Sequence, residues 1–412
     1  MLITHIHNLV QVREQALKFV SGAAMRELPT LENAYLAIDD GLIVDFGLMK
    51  NLPASTNATT VIQASGRLVL PSFVDSHTHL VYADTREEEF VMKLKGATYQ
   101  EIAASGGGIL NSARKLQQAS EDELFEKALT RAAEVIKTGT GAIEIKSGYG
   151  LTTKDELKML RVARKIGMAT PLTVKTTLLG AHAIPYDKSK EQYIAEVVEE
   201  MIPAAAEENL ADYVDVFCET GFFSPEETAY IVEAGKQYGL IPRLHANQLN
   251  RSGGVQVGLK TKAISVDHLE NIGDEEIDIL KHSLTMPVSL PGAAFFLGLP
   301  FTPARQMIDA GLPLGIASDY NPGSAPGGSM PFNIALACIK MRMLPEEAIN
   351  ATTINTAYTL GLSNTHATIT KGKVANVFIT HPMRSVAAIP YGFSSNPVDQ
   401  VILNGKIITD TK

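Results

Sequence analysis

The sequence predicts an α/β protein: a (β/α)8 TIM-type barrel with a small β-sandwich domain formed from both termini. Three observations predict it. Eight short, strand-like apolar runs recur through the middle of the chain, with helical patterns between them. Both ends are instead rich in β-prone runs broken by Asp-Gly and Asn-Gly turns. The 412 residues also exceed the roughly 250 of a typical barrel, which leaves a remainder for an attached sheet.

At the N-terminal end, LENAYLAIDDGLIVDFG alternates short strands with the turn Asp39-Asp40-Gly41, and ATTVIQASGRLVLPSFVD continues the pattern. At the C-terminal end, KGKVANVFIT is followed by DQVILNGKIITD, which turns at Asn404-Gly405. Residues 1–70 and 366–412 are therefore expected to form the two parts of the sandwich, and residues 71–365 the barrel.

The eight barrel strands read, in order, RLVLPSFVDSHTHL, GAIEIKSGYG, PLTVKTTLLGAH, YVDVFCETG, IPRLHANQ, AISVDHLE, LTMPVSLPGA and LPLGIASDYNPGS. Between them lie TTKDELKMLRVARKIG, KEQYIAEVVEEMIPAAAEE and SPEETAYIVEAGKQYG, with apolar residues at helical three- and four-residue spacing. Thr152, Thr153 and Ser224 are candidate N-caps, and Pro225 suits a first helical position. An open doubly wound sheet would need a glycine-rich phosphate loop after its first strand, and that segment has none. Gly106-Gly107-Gly108 lacks the Lys-Ser/Thr of a phosphate loop and reads as a loop over the site with turn or hinge glycines.

Composition narrows the function classes. A hydrophobic fraction of 45% with 20% charged residues supports a large core. With 36 basic and 45 acidic residues the net charge is −9, a poor match for a nucleic-acid partner. Two cysteines, Cys218 and Cys338, cannot build a disulfide framework and read as packing residues of a reducing compartment. MLITHIHNLVQVREQ has no signal-peptide pattern, and no run reaches the roughly 18 apolar residues of a spanning helix. A cytoplasmic protein without a membrane partner is expected.

Barrel chemistry gathers at the C-terminal ends of the strands, and here those ends carry polar side chains. They are His77-Thr78-His79, Tyr149, His182, His245, His268 and Asp319. In an extended strand, residues i and i+2 face the same way, so His77 and His79 can converge on one ion. His5-Ile6-His7 has the same spacing but lies in the terminal sheet without an ordered series of partners, and reads as solvent-facing. One carboxylate, Asp319, beside three imidazoles suits Zn²⁺, or another first-row ion such as iron, with a position left for water. Asp319 could both touch the ion and take the proton of that water.

PSFVDSHTHL, followed by His182, His245, His268 and Asp319 at strand ends, resembles the amidohydrolase superfamily of metal-dependent hydrolases. SHTHLVYADTREEEF, GATYQEIAASGGGI, EIKSGYGL, TLLGAHAIP, VDHLE and SDYNPGS resemble one branch of it, which hydrolyses 4-imidazolone-5-propionate to N-formimino-L-glutamate in histidine degradation. The resemblance implies one Zn²⁺ or Fe³⁺ per subunit, bound by His77, His79, His245 and Asp319, in a homodimer acting on a small anionic cyclic amide. Arg86 then becomes a candidate two-pronged partner for the substrate carboxylate. Tyr99, Asn321, Gly323 and Ser324 would add polar contacts, Tyr149 and His182 would orient the ring, and His268 would stabilise the oxyanion. Many relatives bridge two metals with a carboxylated lysine. Lys146 and Lys175 lie nearby, but pairing with strand neighbours such as Glu144 is the reading preferred here.

Two positions depart from the resemblance. After His245 the chain reads Ala246-Asn247-Gln248, where many members carry an acid at one or both of the last two. Gln248 cannot act as a base but can hydrogen-bond substrate or water, which leaves Asp319 and His268 for proton transfer. Asn376 stands where Asp is usual, in the sandwich part. The competing readings are another amidohydrolase, acting on a cyclic amide or deaminating a nucleobase, and a catalytically silent scaffold. A neutral base would not need Arg86, and scaffolds tend to lose metal ligands.

Overall fold

The computed structural model describes residues 1–54, 58–97 and 107–409. The N-terminal strands are β1 (Leu2–Val10), β2 (Thr30–Asp39), β3 (Leu42–Leu48), β4 (Val61–Gln63) and β5 (Leu68–Pro71). Eight further strands follow: β6 (Phe73–Asp75), β7 (Thr140–Lys146), β8 (Thr173–Ala181), β9 (Tyr213–Cys218), β10 (Ile241–Ala246), β11 (Ser265–His268), β12 (Met286–Ser289) and β13 (Gly315–Ile316). The chain ends with β14 (Val377–Thr380), β15 (Val398–Leu403) and β16 (Lys406–Ile408).

Strands β6 to β13 pair in sequence order, every pair parallel, with helices between them. The two ends of this row approach each other just beyond β6 and β13. There the Asp319 amide donates to the His77 carbonyl at 3.0 Å and the His79 amide to the Tyr320 carbonyl at 2.9 Å. Buried on both faces, these strands alternate apolar residues toward the helices with polar ones toward the lumen. Ile143, Ile145, Val214, Val216, Leu244 and Val266 belong to the core under the helices. Their strand neighbours Glu144, Asp215, Arg243 and Asp267 are equally buried but polar.

The remaining strands form one sheet in the order β16-β15-β14-β5-β1-β2-β3, with β4 also on β1. Strand β1 meets β4 along Leu2–Thr4 and β5 along Asn8–Leu9. Between these partners His5 takes a left-handed backbone, with φ of 52°, at a bulge in the pairing with β2. His5 and His7 are exposed, as their sequence context suggested. Ile3, Ile6, Leu9, Val377, Ile379 and Ile402 pack this sheet's own core. Asp40 and Gly41, like Asn404 and Gly405, have positive φ, as tight hairpin turns require.

Two local readings change. RLVLPSFVD is two strands, not one: β5 joins the terminal sheet and β6 opens the barrel row. KEQYIAEVVEEMIPAAAEE is not one regular helix, because Val197–Met201 forms a wider π turn between Lys190–Glu196 and Ile202–Glu207. Pro203 has no amide proton and its ring crowds the carbonyl four residues back, which the wider turn accommodates. Thr152 and Ser224 cap the helices Thr153–Ala169 and Pro225–Gln237, while Thr153 is itself the first helical residue. Among the described residues no helix is long and apolar enough to cross a membrane.

Candidate metal centre and active site

The C-terminal ends of the barrel strands converge on four buried imidazoles and a carboxylate. His77 and His79 follow β6, His245 lies in β10, His268 ends β11 and Asp319 follows β13. One ligand atom each from His77, His79 and His245 lies within 4.8 Å of the others, and the same holds for His77, His268 and Asp319. His77 Nε2 is 3.5 Å and His79 Nε2 3.6 Å from Asp319 Oδ1. His77 Nε2, His79 Nδ1 and His245 Nε2 are buried without a hydrogen-bond partner. Buried polar atoms are ordinarily satisfied, so the unpartnered His77 Nε2 beside Asp319 Oδ1, with His245 Nε2 in the same cluster, fits a bound cation, and His79 turns Nε2 toward that carboxylate. Burial also holds His77 and His79 well below the usual imidazole pKa, which keeps them neutral, the form that ligates.

His268 and Asp319 take left-handed backbones with φ of 88° and 56°, as do Asn247 and Leu269. Such strain costs of order 1–3 kcal/mol per residue and persists where surroundings enforce it. For Asp319 the surroundings are the turn 319–324. Asn321 Nδ2 donates to the Asp319 carbonyl at 2.6 Å and to Ser324 Oγ at 2.6 Å. Asn321 Oδ1 accepts from the amides of Gly323 and Ser324, and Ser324 Oγ donates to Asp319 Oδ2 at 3.0 Å. Asn321 and Ser324, expected as substrate contacts, use these polar groups to hold Asp319 and also line the cavity beside it.

Gly323 has another use. A Cβ there would lie 2.1 Å from Arg86 Nη1, so the guanidinium rests on the bare Cα. Arg86 Nε donates to Glu89 Oε2 at 2.8 Å. Paired in this way, Arg86 and Glu89 line the same cavity as His79, His268 and Asp319. That cavity has a volume of about 430 Å³. Tyr149, His182, His245 and Gln248 line it too. Tyr99 lies outside the described residues, as does Gly106.

His182 Nδ1 is 2.8 Å from the Gly148 carbonyl oxygen. Burial pushes this imidazole down to about 3, so it is neutral. Tyr149 sits in the same loop, and burial raises its phenol, which therefore keeps its proton. The loop is clamped by Glu156, whose carboxylate accepts from the amides of Gly148, Gly150 and Leu151 at 2.7, 2.7 and 2.8 Å. His268 differs from the other imidazoles. Burial opposes its charge, but Glu270, 3.3 Å from Nδ1, together with the Asp319 and Asp267 carboxylates outweighs this and raises its pKa. Burial raises the Asp319 carboxyl against the pull of His268 and His245.

The expected pairing of Lys146 with Glu144 forms; what sequence reasoning missed beneath the ligands is Asp215, Arg243 and Asp267. His77 Nδ1 is 2.7 Å from Asp267 Oδ2, and His245 Nδ1 lies 3.1 Å from Asp215 Oδ2, off the line of a hydrogen bond. Lys146 reaches Glu144 and Asp215, each at 2.9 Å, and Lys175 pairs with Asp212 at the strand's other end. The signal was present: Glu144, Asp215 and Asp267 interrupt apolar runs of parallel strands, where a buried charge must be paired.

Residues 68–408 match the Amidohydrolase family. The chain is 56% identical over 409 residues to an imidazolonepropionase of Flavobacterium johnsoniae, covering 99% of both chains. It is 53% identical over 410 residues to that of Christiangramia forsetii, covering 99% of this chain and 100% of the relative. Among solved structures, E. coli guanine deaminase superposes with a TM-score of 0.76 at 14% identity, covering 100% of this chain and 99% of the other. A 5-methylcytosine deaminase from Klebsiella pneumoniae gives 0.74 at 17%, covering 100% and 98%. At such identities these two structures speak for the fold alone.

Proposed function

The chain belongs to the amidohydrolase family, whose members are metal-dependent hydrolases, and from that premise we propose that it opens the ring of 4-imidazolone-5-propionate to give N-formimino-L-glutamate. The observation that carries this reading is a single cavity holding both a His/Asp cluster and an arginine seated on a glycine Cα. A small cyclic amide with a carboxylate tail needs both. Full-length identity above one half to imidazolonepropionases supports the same substrate.

His77, His79, His245 and Asp319 would hold one ion per subunit, Zn²⁺ or Fe³⁺, with His268 alongside. A bound ion supplies positive charge that acidifies water and polarises the amide carbonyl near neutral pH. Asp319 accepts the proton of the attacking water and returns it to the departing nitrogen. The water oxygen bonds to the carbonyl carbon, the ring C–N bond breaks, and the new carboxylate leaves with the glutamate portion. His268, made easier to protonate by Glu270, donates to the oxyanion that develops. His182 Nε2 accepts from a ring N–H, and the Tyr149 hydroxyl donates to the ring. Arg86 binds the propionate as a two-pronged partner, with Gly323 leaving it room. Gln248 hydrogen-bonds substrate or water without acting as a base. Tyr99 is a further proposed substrate contact.

In this reading residues 71–365 carry the chemistry, and residues 1–70 and 366–412 form the attached sheet domain of a cytoplasmic homodimer. The test is an ultraviolet assay of freshly generated imidazolonepropionate with native and chelator-stripped protein, beside a no-enzyme trace because the substrate decays by itself. Metal-dependent loss of ring absorbance with formiminoglutamate as product is expected. No turnover by metal-loaded protein would reject the substrate and direct the search to other cyclic amides and amino-substituted bases bearing a carboxylate.

A further inference from the structure

Five charged side chains lie fully buried in the barrel lumen beneath the histidine cluster: Glu144, Lys146, Asp215, Arg243 and Asp267. Three carboxylates against two cations leave one negative charge in a place where burying charge is costly unless every member is paired. Each member also grips a ligand or a residue next to one. Arg243 Nη2 donates to the Ser76 carbonyl at 2.6 Å and to Asp267 Oδ2 at 3.1 Å. Asp267 in turn takes His77 Nδ1. Glu144 Oε2 accepts from the amide of Thr78 at 3.2 Å, and the Glu144 carbonyl accepts from Thr78 Oγ1 at 2.7 Å. Asp215 Oδ1 accepts from the His245 amide at 3.1 Å, while its Oδ2 faces the His245 ring.

The His77–His79 segment on one side of the lumen and His245 on the other are thus each held by a carboxylate, Glu144 and Asp215. One side chain joins the two: Lys146 Nζ lies 2.9 Å from Glu144 Oε1 and 2.9 Å from Asp215 Oδ2. Its backbone amide also donates to the Thr78 carbonyl at 2.9 Å. We propose that Lys146 is a positioning residue that sets the distance between the two halves of the ligand cluster by binding Glu144 and Asp215 at once. The proposal rests on the reading of His77, His79 and His245 as ligands of one ion. Partners that orient ligands in this way typically account for about ten- to a hundredfold in metal affinity.

A lysine could instead serve only as a counter-charge that lets the carboxylates be buried. Two variants separate the roles. Lys146→Met removes the link and one positive charge, whereas Lys146→Met with Glu144→Gln removes the link but restores the balance of charge. Apoprotein made by chelation is titrated with Zn²⁺ against a chromophoric chelator, and the visible spectrum of the Co²⁺ form is recorded. The double variant is expected to bind Zn²⁺ about ten- to a hundredfold more weakly than the parent chain, with altered Co²⁺ bands and an unchanged far-ultraviolet circular dichroism spectrum. Parental affinity and an unchanged Co²⁺ spectrum in the folded double variant would overturn the proposal and leave Lys146 as a counter-charge. If that variant does not fold, Lys146→Gln serves, since a shorter neutral amide reaches only one carboxylate. A several-fold loss is expected from it, and none would overturn the proposal. Failure of the parent chain to take up a stoichiometric ion would instead reject the metal reading, and it is seen before any variant is made.

Discussion

His182 donates its Nδ1 proton to the Gly148 carbonyl oxygen at 2.8 Å. A carbonyl only accepts, so this contact fixes the tautomer and leaves Nε2 as a bare acceptor. The carbonyl is fixed in turn, because Glu156 holds the amide of the same glycine. Replacing His182 with Gln should lower kcat/KM by roughly two- to tenfold, the worth of one hydrogen bond between neutral groups. Metal content should not change. Steady-state kinetics with metal analysis checks both, and loss of metal from the variant would place His182 among the ligands instead.

The same imidazole predicts how apoprotein stability depends on pH. Its pKa falls from the ordinary 6.5 to about 3 on folding, so between these values the unfolded chain binds more protons than the folded one. Stability from this group is therefore complete above 6.5 and lost as pH falls toward 3. Thermal melts across that window should show a shallower pH slope for His182→Gln than for the parent apoprotein. Equal slopes would mean that the imidazole titrates normally.

Gly323→Ala should act through Arg86. The added Cβ would lie 2.1 Å from Nη1, so the guanidinium must move away from where the cavity holds it. Loss of a charge-assisted contact of about 1.5–3 kcal/mol raises KM by roughly ten- to a hundredfold. If Arg86 only anchors the carboxylate, kcat changes little. A variant impaired in kcat with KM unchanged would contradict that role.

His245→Ala should lose most bound metal and most activity together, since its Nε2 is buried without another partner. The parent protein should melt higher with metal than without, by about 2.7 kcal/mol of stability when free metal is a hundred times its Kd. In the variant this metal-dependent shift should largely vanish. A full shift with full occupancy would remove His245 from the ligand set.

What could be read from the chain was what strand periodicity carries. Eight strand ends in order bring His77, His79, His182, His245, His268 and Asp319 to one mouth, because the C-terminal ends of the parallel strands share one face of the barrel. The charges below them were less legible. Asp215 lies two residues deeper than His245, level with Arg243, while Asp267 sits level with His245, and their partners Lys146 and Arg243 come from other strands, so only register reveals them. Asn321 and Ser324 illustrate another limit. Residue type suggests polar contacts to a ligand, and both residues do line the cavity, but type alone does not reveal that their groups also brace Asp319 within the loop. The division of RLVLPSFVD between two sheets was hidden because both halves are apolar and extended.

The row of barrel strands is completed by the bonds that link His77 and His79 to Asp319 and Tyr320. An ion shared by His77, His79 and Asp319 would therefore act as a clasp, fastening the first strand of the barrel to the last across most of the chain. Closing so long a loop costs the unfolded chain only a little more than closing a short one, but it cannot happen before both ends exist. During synthesis the histidine pair emerges early and waits, and the carboxylate arrives only after seven further strands have left the ribosome. Metal capture would then mark the end of barrel assembly. Stripping the ion should first loosen the backbone amides of His79 and Asp319, which hydrogen exchange would register ahead of any change in the middle strands.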